Sequence, residues 1–156
     1  MTITHDAIAT GRGRVPAAVY TSHLFWLGAI ATAIIELVTR LATAPEGFVA
    51  ATTSGWTELL VRFAAYALLL GLSLAMLSGR GWARWGLLIF FGGLGTFSLV
   101  FEPISWLMEG GSAGAFLAGA DGATWIITIS RIAHIVCVWA GVVFMFLPAT
   151  RSYFRR

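Results

Sequence analysis

Residues 125–139 read WIITISRIAHIVCVW. Arg131 and His134 interrupt a run that is otherwise uncharged and strongly apolar. A protein core has no cheap place for a guanidinium, and hydrocarbon has even less. Beyond Arg131, 19 residues pass without a formal charge before Arg151. Three similar stretches precede it: 21 residues between Arg14 and Glu36, 17 between Arg62 and Arg80, and 17 between Arg84 and Glu102. At about 1.5 Å per residue each reaches roughly 25–31 Å, close to one hydrocarbon thickness. The pattern predicts an all-α polytopic membrane protein. Its four transmembrane helices should lie at about 17–41, 57–79, 82–102 and 123–147.

Composition agrees. The chain has 156 residues, of which 58% are hydrophobic and 11% charged. Its mean hydropathy is +0.85. Soluble domains carry about a quarter charged residues. The net charge of +3 comes from arginine alone, with no lysine, as a GC-rich coding sequence would give. No cluster of charge lies on a soluble face, so a nucleic-acid partner is not expected. The single cysteine, Cys137, excludes an intrachain disulfide, a CxxC redox pair and a cysteine-rich metal site. The first 14 residues are polar and the next apolar run is too long for a signal-peptide core. Residues 1–14 are read as a flexible cytoplasmic tail, 15–150 as one transmembrane domain and 151–156 as a short basic tail.

Arginine placement predicts orientation. Arg12, Arg14, Arg80, Arg84, Arg151, Arg155 and Arg156 fall on one side of the four spans. The loops TAPEGFVAATTSG (43–55) and EGGSAGAFLAGADGA (109–123) contain no arginine and carry Glu46, Glu109 and Asp121. The positive-inside rule puts both termini and the SGRGWAR turn (78–84) in the cytoplasm of an inner, or plasma, membrane. Tyr20, Trp82, Trp85, Tyr153 and Phe154 fit an inner aromatic belt, and Trp56, Trp106 and Trp125 an outer one. Short links favour sequential antiparallel neighbours, hence an up-down four-helix bundle. Pro103 should end or kink the third helix, leaving PISWLM (103–108) free to lie along the interface. Trp26, Trp139 and the phenylalanines of the third helix offer a surface for lipid or a partner.

The remaining charges fall at one depth. Glu36 and Arg40 end the first helix, Glu58 and Arg62 begin the second, Glu102 ends the third, and Arg131 lies about two turns into the fourth. Glu36/Arg40 and Glu58/Arg62 are i,i+4 pairs with the glutamate first, the better order. Glu102 and Arg131 have no partner in their own helices. Arginine cannot escape by deprotonating. Arg131 is therefore expected to meet Glu102, Glu36 or both, in a layer of three glutamates and three arginines near the outer boundary. His134 shares the face of Arg131 one turn deeper. It reads either as a neutral histidine bonded to a neighbouring helix or as a ligand-contacting group beside the layer. The basic clusters, Arg80 and Arg84 with Arg151, Arg155 and Arg156, suit anionic headgroups.

Several chemistries fit poorly. His23 and His134 lie more than about 10 Å apart in depth by helix rise, so they cannot share one haem. No GxSxG occurs, and a Cys137 thiol in apolar surroundings is a poor nucleophile. GGSAGAFLAG (110–119) lacks the lysine of a phosphate loop and the spacing of a dinucleotide fingerprint. No cofactor and no metal site is expected.

Three families bear comparison. Small multidrug transporters are similar in having four helices and an acidic residue in the first. Their glutamate sits mid-membrane without an arginine one turn on, unlike Glu36 beside Arg40. Four-helix quinone-linked thiol oxidases need a CxxC. GRGWARWGLL (79–88) resembles the GRxWAR turn that enters the third helix of small actinobacterial membrane proteins, and FLPATRSYFRR (146–156) resembles their PAxxxYF ending. SHLFWLGAIA (22–31) is compatible with their first helix. That resemblance implies a four-span actinobacterial inner-membrane protein and points to no reaction.

The expectation is thus a non-enzymatic protein contacting membrane lipids. It would serve as an accessory or scaffold subunit of a larger membrane complex, respiratory or cell-envelope, or self-associate as a homo-oligomer. The competing expectation is a small transporter or lipid- or small-molecule-binding protein using Glu36, Arg40, Glu58, Arg62, Glu102, Arg131 and His134.

Overall fold

Ser22, Trp26, Ala29 and Glu36 recur on one face of a helix, and all four are buried. Ser130, Val138, Gly141, Val142 and Met145 form the matching stripe near the other end of the chain. These two stripes organise the fold. In the computed structural model, which describes residues 15–155, the elements run as follows. Helix α1 spans Ala17–Ala42, α2 Phe48–Ser54, α3 Trp56–Leu77, α4 Gly81–Met108, α5 Ala113–Gly119 and α6 Gly122–Phe146. Two 3-10 turns follow, Pro148–Thr150 and Tyr153–Arg155. No strand occurs among the described residues. Four helices, α1, α3, α4 and α6, are long and apolar enough to cross a membrane, with mean hydropathies of 1.7, 2.0, 1.8 and 1.9. The expected 1–14 tail and Arg156 lie outside the described residues.

Helix α1 packs along α6 and, on another side, against α3; α4 packs against α3 and α6. Residue pairings give the directions. Ser22 meets Gly141, Ala29 meets His134, and Glu36 meets Arg131, so α1 and α6 run antiparallel. His23 meets Ser73 and Ala33 meets Tyr66, so α1 and α3 do too. Trp85 meets Phe146 and Glu102 meets Arg131, which sets α4 antiparallel to α6.

Small residues admit the close approach of α1 and α6. A Cβ on Gly141 would lie 3.0 Å from the Trp26 ring, and one on Gly28 would lie 3.1 Å from Cys137 Sγ. In lipid there is no hydrophobic drive between helices, so such packing contacts carry the association. Trp26 is fully buried, which corrects the expectation that it faces lipid or a partner. Its helix stripe decides the matter: it stands between Ser22 and Ala29, both inside. Trp139 is exposed, as are Phe90, Phe97 and Phe101 of α4.

Helix α4 departs most from expectation. It does not end at Glu102 but runs through Pro103 to Met108, so PISWLM extends the span. Proline removes one backbone hydrogen bond, and apolar sequence on both sides is enough to carry a membrane helix past that loss. Leu87–Gly95 is π-helical, where Gly92, Gly93 and Gly95 weaken the α-helical preference by about 1 kcal/mol each. The two arginine-free loops each hold a short helix, α2 and α5, the latter capped by Ser112 accepting from the Ala115 N–H at 3.2 Å.

Part of the expected basic tail packs onto the helices. Phe154 is buried, contrary to an interfacial role, and Thr150 is fully enclosed. The Thr150 hydroxyl donates to the carbonyls of Met145 and Leu147, and the Tyr153 hydroxyl donates to the Leu77 carbonyl. The Thr150 bonds fold the chain back on the end of α6, and the Tyr153 bond ties it to the end of α3, beside the α3–α4 turn where Gly79 takes a left-handed φ of 81°.

Candidate functional site

Three of the four long helices meet at Arg131 of α6, which is paired with Glu36 of α1 and Glu102 of α4, and Glu36 is the most enclosed of the charges. Its side chain is 8% exposed, and one oxygen, Oε1, accepts from Arg40 Nε at 3.0 Å and from Arg131 Nε at 3.0 Å. Arg131 Nη2 then donates to Glu102 Oε2 at 2.6 Å. The result is a chain, Arg40–Glu36–Arg131–Glu102, with two positive and two negative charges. Of the two acids the sequence offered Arg131, it takes both. A guanidinium forks naturally between two carboxylates because its donors are fixed in a plane. Exposure is graded along the chain: Arg131 is 20% exposed and Glu102 67%. The Glu36–Arg131 contact is the dry one, and desolvation makes each of these charges depend on the other.

The expected six-membered layer is not formed as one network. Glu58 and Arg62 pair with each other, Arg62 Nη2 donating to Glu58 Oε1 at 2.6 Å and Nε to the same atom at 3.0 Å. No ion pair links them to the Glu36 chain among the described residues. Their i,i+4 geometry satisfies both at the surface of α3, so nothing draws them inward. They border, with Arg40 and Glu46, a cavity of about 200 Å³ between α1, α2 and α3.

His134 does not join the ion network. Its Nδ1–H donates to the Ala29 carbonyl at 2.8 Å, and Thr32 Oγ1 lies 3.4 Å from the same nitrogen. The ring bridges α6 to α1 one turn below Arg131. Cys137, three residues on, faces Gly28, and no hydrogen bond joins it to His134.

A second polar group lies toward the opposite end and was not anticipated. The Ser22 hydroxyl donates to the Gly141 carbonyl at 2.7 Å. His23 Nδ1 lies 2.6 Å from Ser73 Oγ, both residues buried. Trp26 Nε1 is buried beside them without a hydrogen-bond partner. The signal was present in the spacing: Ser22 shares the stripe that ends at Glu36, so its buried hydroxyl needed a partner on a facing helix, and it finds one in the Gly141 carbonyl of α6.

At that same end, Arg80, Arg84, Arg151 and Arg155 form no ion pair among the described residues. The Arg84 guanidinium sits over the Phe154 ring, 4.0 Å from its centroid, and 5.3 Å from that of Phe146. Arg156 lies outside the described residues.

No group of three or more histidine, cysteine, aspartate or glutamate side chains among the described residues is placed to hold a metal ion.

No family model, curated protein or solved structure matches the chain.

The chemistry available is therefore read from the geometry alone. The Glu36 chain can fasten three helices together, since each arginine in it already holds a carboxylate. The basic end can hold an anion, since its arginines hold none.

Proposed function

We propose that the protein is a non-enzymatic accessory or scaffold subunit of a larger membrane complex, of the respiratory or cell-envelope type. Its four long helices form an up-down bundle in the plasma membrane with both termini in the cytoplasm. The antiparallel helix pairs and the arginine-free loops support this arrangement. The GRxWAR and PAxxxYF motifs support placing it with small actinobacterial inner-membrane proteins.

One observation carries the functional reading. The Arg131 network is satisfied within the chain, by Glu36 on one side and Glu102 on the other. A transport or catalytic site built on these charges would need one left open for substrate, and here they hold the helices instead. Contact capacity remains on the outer faces, above all on α4, whose most apolar window has 11% of its residues buried against 22% for each of the other three long helices. Native purification in mild detergent followed by mass spectrometry tests the reading. Stoichiometric co-purification of a larger membrane subunit supports it, and a stable monomer or homodimer alone overturns it.

The cavity bordered by Arg40, Glu46, Glu58 and Arg62 favours a second reading, a small transporter or binding protein for a lipid or small polar molecule. Glu58→Gln/Arg62→Gln should then abolish ligand uptake in reconstituted vesicles while leaving the fold intact.

A further inference from the structure

Charge is divided sharply between the two ends of the molecule. All six described acids, Glu36, Glu46, Glu58, Glu102, Glu109 and Asp121, lie in the loops and helix ends around α2, α5 and the Glu36 chain. The α3–α4 turn and the C-terminal turns hold Arg80, Arg84, Arg151 and Arg155 with no acid among the described residues. Three of these, Arg80, Arg151 and Arg155, are freely exposed. Arg84 is different.

Arg84 is held by its neighbours. Ala83 and Leu87 on either side are fully buried, so the first turn of α4 cannot drift. Its guanidinium lies over Phe154, itself fixed by the Tyr153 and Thr150 hydrogen bonds, and Phe146 flanks it. Among the described residues, Arg84 Nε is buried without a partner, and no hydrogen bond or ion pair engages the other two nitrogens. A guanidinium stacked on a ring keeps its in-plane donors free. Arginine in this state is suited to bind the two oxygens of a phosphate side by side. Beside it, Trp82 and Trp85 are 59% and 55% exposed at the start of an apolar helix. Such rings settle at the boundary between headgroup and hydrocarbon.

We propose that Arg84, seated on Phe154 and surrounded by Arg80, Arg151 and Arg155, is a binding site for the phosphate of an anionic phospholipid. The tryptophans and the apolar face of α4 take the acyl chains. They are what distinguishes a lipid from free phosphate, which has no use for them. The site goes beyond the accessory role and stands whether or not a partner subunit exists.

The test is native mass spectrometry of the full chain in mild detergent, titrated with phosphatidylglycerol and with phosphatidylcholine of the same acyl chains. The wild type should retain phosphatidylglycerol at least about tenfold more strongly. Arg84→Ala should remove most of that preference, Arg155→Ala about twofold or less, and Arg84→Lys should be intermediate. Phe154→Leu keeps every charge but removes the seat, and should cost severalfold. Melting in phosphatidylcholine micelles shows which variants fold; Arg84→Lys and Phe154→Leu carry the test if Arg84→Ala does not. Equal losses for Arg84→Ala and Arg155→Ala, or no loss for Phe154→Leu, would mean diffuse charge attraction and overturn the site. No preference in the wild type overturns it as well. Displacement of the lipid by equimolar glycerol 3-phosphate would assign the site to a free phosphate instead.

Discussion

The two ends of this molecule hold arginine in opposite ways. Arg131 lies between two carboxylates on two other helices, with Glu36 almost wholly buried. Arg84 lies on an aromatic face and pairs with no carboxylate among the described residues. The first arrangement already holds a carboxylate on each side of its guanidinium and so serves to hold helices together. The second leaves donors open and so can take something from outside. Burial at one end and openness at the other come from one cause, which is where the acids are.

Breaking the closed end should have the largest effect. Arg131→Leu leaves Glu36, in a dry site, with Arg40 as its remaining partner, so the loss should approach but not exceed the about 3–5 kcal/mol that a wholly unpaired buried charge costs. The double change Glu36→Leu/Arg131→Leu should recover most of that, because Arg40 is 39% exposed and can reach water on its own. Glu102→Leu should cost less than about 1 kcal/mol, since that carboxylate is already largely solvated. Unfolding by denaturing detergent measures all three. Equal losses for Arg131→Leu and Glu102→Leu would contradict the graded burial described above.

Between the ends lies a test of packing rather than charge. Gly141→Leu would drive side-chain atoms into the Trp26 ring and should cost about 1–3 kcal/mol. Gly71→Leu, where an added Cβ meets nothing within 4 Å, should be close to neutral. A similar cost at both would mean that α1 and α6 do not approach as closely as Trp26 and Gly141 require.

Arg84→Ala is the counterpart of Arg131→Leu at the open end. It removes a stacked cation but strands no buried acid. The expected loss of stability in neutral lipid is about 0.5–1 kcal/mol. A loss as large as that of Arg131→Leu would mean that Arg84 is a strut too, and the contrast between the ends would collapse.

The spans and the Arg131 contact were legible for the same reason. Unbroken apolar runs and an arginine that cannot deprotonate leave few physical options. Partner choice was less legible: Glu58 and Arg62 share a depth with Glu36, but depth does not reveal which way a helix faces. The facing of α1 was readable from the Ser22–Trp26–Ala29–Glu36 stripe, and a bulky indole drew attention to lipid instead. The continuation of α4 past Pro103 was not readable from a local rule, because one lost hydrogen bond competes with everything that packs on either side. The docking of Phe154 under Arg84 depends on a turn of the chain that no periodicity announces.

The smallest effect concerns the one acid at the closed end that is held by backbone rather than by arginine. Asp121 caps α6, its Oδ1 accepting from the Thr124 N–H at 2.8 Å. That bond, with help from the Thr124 hydroxyl, holds the carboxyl below the ordinary aspartate value of 3.8. The native state therefore binds this proton less readily than the unfolded chain does. The contribution of the cap is fully present above the ordinary value and is lost as pH falls through the lower native one. Asp121→Asn keeps an oxygen acceptor and cannot titrate in this range, so its melting curve should lack that part of the acid dependence. An identical acid response in wild type and Asp121→Asn would show that the cap does not contribute. A residual response shared by both would instead belong to the carboxylates that face arginine.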